Sequence, residues 1–202
     1  MHSNLSIASS VVWLLAACSS PKSAGTVDAP ATTDGSGPVD VPVINSTTPV
    51  IPPPTGVCPT IANGDVTFAP AGIPPRKVNL AYDAATVGHG DLIIYWYATG
   101  SSTLESGYSL GTTLTTIEQA GGIVATPYAD PTAGEFEWFI VNMSPKQDDF
   151  LVADEVVACL AQANMIDPNH IHSMGMSAGA LQTTAVSFLR SSYVASVATY
   201  SG

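Results

Sequence analysis

From Cys58 onward the apolar positions fall into short runs separated by Gly, Pro and polar clusters. Val66 to Ala69 and Val78 to Tyr82 are β-rich and flank Pro70, Gly72, Pro74 and Pro75, which predicts an N-terminal hairpin. Leu92 to Tyr97 is unbroken by polar residues, as in a strand of a parallel sheet covered on both faces. Leu110, Leu114 and Ile117 recur at helical spacing until Gly121-Gly122 stops them. Ile123 to Thr126 then reads as a strand, and Phe136 to Val141 as a further short one. A longer helix starts near Gln147, where Val152, Val156, Cys159, Leu160 and Ala163 share one face and Asp148 and Asp149 complement the dipole in the first turn. Asp167-Pro168-Asn169 is expected to close it. His170 to Met174 reads as a strand, Ala178 to about Leu189 as a helix and Val194 to Tyr200 as a strand. Strands alternating with helices predict an α/β domain with a mostly parallel sheet.

The first 57 residues follow no such period. An apolar run from Val11 to Ala17 ends at Cys18, too short to cross a hydrocarbon core of ~30 Å but suited to the core of a secretory signal. Leu15-Ala16-Ala17-Cys18 resembles a bacterial lipobox, which implies cleavage before Cys18, diacylation of its thiol and a lipid anchor in the membrane. Ser19 resembles the pattern that sends such proteins on to an outer membrane, so the expected address is exported, either anchored there or extracellular. Residues 19–57 are Ser, Thr, Pro, Gly, Ala, Asp and Val without period and read as a disordered tether. The expected organisation is therefore signal 1–18, tether 19–57 and domain 58–202.

Charge narrows the partners. Sixteen Asp and Glu against five Lys and Arg give a net charge of −11, which argues against nucleic-acid binding and favours a neutral substrate over an anionic one. With Cys18 set aside, Cys58 and Cys159 are one candidate disulfide in an oxidising compartment. Closing a loop of roughly 100 residues would stabilise by up to ~4.7 kcal/mol in the chain-entropy account. The alternative is that Cys159 is simply a small buried residue on the apolar helix face.

The chemistry is carried by Gly175-Met176-Ser177-Ala178-Gly179, a G-x-S-x-G sequence between a predicted strand and a predicted helix. In that context the pattern makes a nucleophile elbow, a strained turn tolerating only small residues two positions either side of a serine held over the sheet edge. Ser177 is the candidate nucleophile, and the Ala178 N–H at the helix start is a candidate oxyanion donor. The plainer alternative is a Gly/Ser turn that lets helix and sheet pack closely. His170 and His172 read as packed or rim residues and His89 as a turn residue. As metal ligands they lack a third partner at a recognisable spacing, so no metal or other cofactor is expected. Asp148, Asp149, Asp154 and Glu155 read as a solvated helix face.

The run from Asp148 to Val157, then Ile166-Asp167-Pro168-Asn169-His170-Ile171-His172, then the elbow, resembles the extracellular α/β-hydrolase esterases that include polyhydroxybutyrate depolymerases and feruloyl or acetylxylan esterases. The resemblance covers roughly Leu92 to Gly202. It implies a three-layer α/β-hydrolase sandwich acting on an ester, polymeric in some relatives, with an oxyanion loop after the third strand. Here that segment is Tyr97-Ala98-Thr99-Gly100-Ser101, with Ala98 as the second donor, although Tyr and Ala stand where His and Gly are common. In this fold the acid and the histidine follow the serine along the chain. No Asp, Glu or His follows Ser177, so the expectation is a fold incomplete at its C-terminus and a chain inactive by itself. The other expectation is a non-catalytic surface lipoprotein that binds through a relic hydrolase fold.

Overall fold

The computed structural model describes residues 48–202, so the signal segment, Cys18 and the tether up to residue 47 lie outside the described residues. Ten elements follow in order: β1 (Gly64–Phe68), β2 (Arg76–Ala81), β3 (Gly90–Trp96), α1 (Glu105–Leu110), α2 (Thr112–Gln119), β4 (Ile123–Pro127), α3 (Asp148–Gln162), β5 (Ile166–Met176), α4 (Ala178–Leu189) and β6 (Ser196–Tyr200). They form one six-stranded sheet in the order β1-β2-β4-β3-β5-β6. β1 and β2 are the antiparallel hairpin, β2 joins β4 antiparallel, and β3, β4, β5 and β6 run parallel. The chain steps one way from β3 to β4 and the other way from β4 to β5 and β6. Right-handed crossovers therefore put α1 and α2 on one face and α3 and α4 on the other, a three-layer arrangement.

Alternation along β3 shows how the two faces are filled. Leu92, Ile94 and Trp96 are buried on the side of α3 and α4, where the Trp96 indole N–H donates to Ser173 Oγ at 3.0 Å. Tyr95 points the other way and meets Glu105 of α1 and Ser109. β6 pairs with β5 on one side only among the described residues, and all five of its residues are exposed. No described helix is long and apolar enough to cross a membrane.

Four expectations change. The helix through Leu110 is two helices, because Gly111 at φ +53° breaks it between α1 and α2. Asp167-Pro168-Asn169 does not close α3 but lies inside β5, in a bulge where only Asp91 of β3 stands between the pairs Gly90 with Ile166 and Leu92 with Ile171. Proline is tolerated in a strand at such a bulge because the ladder is already interrupted. The segment 136–141 is a series of turns instead of a strand. Its amides bond to carbonyls three residues back, Val141 to Trp138 and Met143 to Ile140, and Asn142 fastens the turns by donating to the carbonyls of Phe136 and Trp138. Trp138 packs edge-on against Trp96 and Tyr97, with ring centres 5.0 and 4.9 Å away.

The fourth change is electrostatic, since Asp149 and Glu155 of the acidic face of α3 are buried and Asp154 is paired. Asp149 is 1% exposed and pairs with Arg76, itself 5% exposed, while accepting the Phe139 N–H at 2.7 Å. Burial raises the Asp149 carboxyl above the usual carboxylate range, and the Arg76 guanidinium partly offsets this. Glu155 is 2% exposed and accepts from the Thr55 N–H, the Thr55 hydroxyl and the Gly56 N–H at 2.8, 2.8 and 2.9 Å. Asp154 accepts from Arg190 Nε and the Tyr193 hydroxyl. Residues 48–57, which composition assigns to the tether, thus lie on the domain. The Val50 N–H also donates to the Ser192 carbonyl, and Cys58 is disulfide-bonded to Cys159.

Candidate active site

Ser177 stands where β5 ends and α4 begins, at φ 51° and ψ −118°. A residue with a Cβ reaches that region only at a cost of order 1–3 kcal/mol, so the surrounding packing must hold it there. Two glycines do so. A Cβ at Gly179 would run into the Trp96 carbonyl of β3, and one at Gly175 into the Gly179 backbone, so helix, elbow and β3 meet at backbone contact. The Ser177 N–H donates to the Tyr200 carbonyl at 2.8 Å, extending the β5–β6 ladder into the elbow. Its own carbonyl accepts from the Ala180 and Leu181 N–H groups and starts the helix.

The serine opens into a cavity of about 300 Å³ whose lining includes Thr99, Phe136, Val141, Ala178 and Leu181. The Ala178 N–H, in the first turn of α4, has no acceptor among the described residues. Ala98, the other expected donor, is spoken for: its N–H donates to both oxygens of the buried Glu105 carboxylate, at 3.1 and 3.2 Å. The Gly100 N–H donates to Glu137 Oε1 at 2.6 Å, and the Ser101 N–H to the Ala98 carbonyl. Thr99 lies between these clamped amides, lines the cavity, and its N–H has no acceptor among the described residues. The Ala98 N–H, the expected donor, is thus engaged, and the neighbouring Thr99 N–H is not. The sequence carried no signal for this, because which amide of a loop stays free depends on carboxylates 7 and 37 positions away.

No described histidine reaches Ser177. His89 precedes β3, His170 lies in the β5 bulge and His172 lies mid-strand beside Asp91 and Ser196, whereas the serine follows the carboxyl end of β5. Cys58, Cys159 and Glu155 bring three ligand-type atoms within 4.8 Å of one another, but the two sulfurs are bonded together and offer no thiolate.

No protein-family model and no curated protein matches the chain. Solved structures do. A thermostable esterase superposes with a TM-score of 0.51 at 14% identity over 66% of this chain and 39% of its own. The native structures of two proteins designated pOPH and sOPH give TM-scores of 0.55 and 0.56 at 16% and 17% identity, over 73% and 72% of this chain and 54% and 52% of theirs. The fold is that of the α/β-hydrolases. This chain spans between 39% and 54% of the lengths of those three structures.

Proposed function

We propose that the protein is a serine hydrolase of carboxylic esters with Ser177 as its nucleophile. The observation that carries this is the conformation of Ser177, a serine at positive φ between two glycines that admit no side chain, at the head of a helix and open to a cavity. Such strain is kept where it holds a reactive group. In this reading Ser177 Oγ attacks the ester carbonyl carbon and its proton passes to a histidine base. The carbonyl oxygen becomes an oxyanion facing the Ala178 and Thr99 N–H groups. The alcohol leaves with the proton from that histidine, and water then hydrolyses the acyl-enzyme.

The base and its acid are not among the described residues near Ser177, and a serine without a base is a weak nucleophile. In this proposal residues 1–202 need a base supplied to Ser177 from elsewhere before they turn over an ester. The substrate is a neutral ester, with a polymeric ester in keeping with the depolymerase resemblance. The protein is exported and held at a membrane through lipidated Cys18.

The test is hydrolysis of short-chain chromogenic esters by the protein carrying the reading frame that follows the Gly202 codon. Turnover that falls to background in Ser177→Ala supports the proposal; equal, background-level rates in both sink it. The second reading, a binding module on a relic hydrolase fold, is favoured by the lack of any described imidazole at the serine and expects the latter result.

A further inference from the structure

Phe136 lines the cavity of Ser177 and is 37% exposed, yet its backbone is clasped by a single side chain. Its N–H donates to Asn142 Oδ1 at 3.0 Å, and its carbonyl accepts from Asn142 Nδ2 at 2.7 Å. The same Nδ2 donates to the Trp138 carbonyl at 3.0 Å. Gly134, at φ +124°, leaves room for that amide, because a Cβ there would stand 2.8 Å from Asn142 Oδ1. The two residues after Phe136 tie the turn to the loop beyond β3. Glu137 accepts the Gly100 N–H, and the Trp138 indole N–H donates to the Tyr97 carbonyl at 2.9 Å.

We propose that Phe136 is the specificity-determining wall of this cavity, restricting the ester to a short aliphatic substituent beside the scissile carbonyl, and that Asn142 positions it. The inference rests on the reading of Ser177 as the nucleophile, which brings the ester carbonyl to the cavity. Val141, from the same run of turns, and Leu181, four residues after Ser177 on α4, line the cavity with Phe136. None of the lining residues carries a charge, so the group taken is neutral and apolar. Small-molecule sites run from about 300 to 1,000 Å³. At about 300 Å³ this one is at the lower end, so the group is short.

A large apolar ring left partly in water gains the fold little. Holding its backbone at two points instead fixes where the ring meets a ligand, as a wall must be fixed if it is to measure length. A hydrophobic pocket discriminates one methylene by about 10- to 200-fold when its lining does not yield. A ring on a free loop would swing aside and lose that discrimination; the Asn142 clasp removes the freedom to do so. Acyl chain and leaving alcohol flank the same carbonyl, and a short aliphatic group on either side has the chemistry this cavity takes. In sequence Phe136 reads as a strand residue, and its role comes from a side chain six positions on.

Equilibrium binding tests this independently of turnover. The full chain carrying Ser177→Ala, which spares the esters, is titrated with methyl esters from acetate to hexanoate and separately with acetates from methyl to hexyl, while the Thr99, Ala178 and Leu181 amide NMR signals are followed. Short members are expected to shift those signals with Kd on the order of 1 mM. The hexyl member of one series is expected to bind at least tenfold more weakly, and that series identifies the substituent. Adding Phe136→Ala should bring long and short members within about threefold of each other, and Asn142→Ala should relax the preference while leaving the shortest ester's Kd unchanged. No shift at those amides up to about 10 mM ester, or a length preference in Phe136→Ala equal to that of the Phe136 protein, overturns the proposal. A uniform loss of affinity in Asn142→Ala removes the positioning role. Turnover insensitive to Ser177→Ala would sink the nucleophile and not this preference, whereas a lost preference with Ser177-dependent turnover would sink the wall alone.

Discussion

Glu137 grips the Gly100 amide at 2.6 Å through one carboxylate oxygen, while the other is buried without a partner. With Glu105 on the Ala98 amide, this leaves the Thr99 N–H without an acceptor between two clamped amides, on a residue that lines the same cavity as Ser177.

If Thr99 is the second oxyanion donor, loosening its neighbour should act on the transition state. Glu137→Ala is expected to lower kcat for ester hydrolysis by about tenfold to a hundredfold, below the full loss of a donor, with KM little changed. Glu137→Gln keeps an acceptor for Gly100 and should stay within a few-fold of the parent. A fall in both variants alike, or a rise in KM alone, would remove Glu137 from this role.

Gly179→Ala should prevent a stable fold, because its Cβ meets a backbone carbonyl of β3 and no flexible side chain can yield. The expected loss is about 3 kcal/mol or more, at the upper end of overpacking penalties. Solubility and the denaturant midpoint read it out, and a variant with parental stability would show that the elbow is not packed as described.

Arg76 joins β2 to two carboxylates, Asp149 and Asp130. Arg76→Met strands the buried Asp149 charge and should destabilise by about 3–5 kcal/mol. Adding Asp149→Leu should return a large part of that loss, since an apolar pair can replace a buried ion pair at little cost. Chemical denaturation of the single and double variants separates the two outcomes.

Tyr95 gives a pH signature. Burial raises its hydroxyl to about 12, with the Glu105 carboxylate adding to the shift and Ser109 opposing it. The unfolded chain loses this proton near pH 10, so the contribution is intact below pH 10, falls between pH 10 and 12, and is constant above. Tyr193, raised well above its ordinary value by burial and by Asp154, acts in the same direction. Denaturation midpoints measured from pH 9 to 12 should fall more steeply for the parent than for Tyr95→Phe.

Most strands, the order of elements and the strand-turn-helix at Ser177 were legible because each depends on neighbours within about ten residues: periodicity in β3 and α3, and glycines two positions either side of the serine. What was not legible depends on partners far along the chain. Asp149 and Glu155 look solvated on a helix drawn alone, and are buried because Arg76 and the Thr55-Gly56 amides come to them from 73 and 100 positions away. The run Trp138-Phe139-Ile140-Val141 has the composition of a strand, yet Trp138 is drawn inward by the rings of Trp96 and Tyr97. The amide left free beside Ser177 follows the same logic, set by acids outside the loop that contains it.

The Cys58–Cys159 bond also sets the path of mechanical load. A pull applied at residue 48 is carried past Thr55 and reaches α3 covalently at Cys159, 101 positions beyond Cys58, bypassing the backbone of β1, which begins six residues after Cys58. Stretched from its N-terminus, the domain therefore has two extensibilities: oxidised, the span between the two cysteines pays out no length however far the sheet unravels; reduced, the same span becomes free contour.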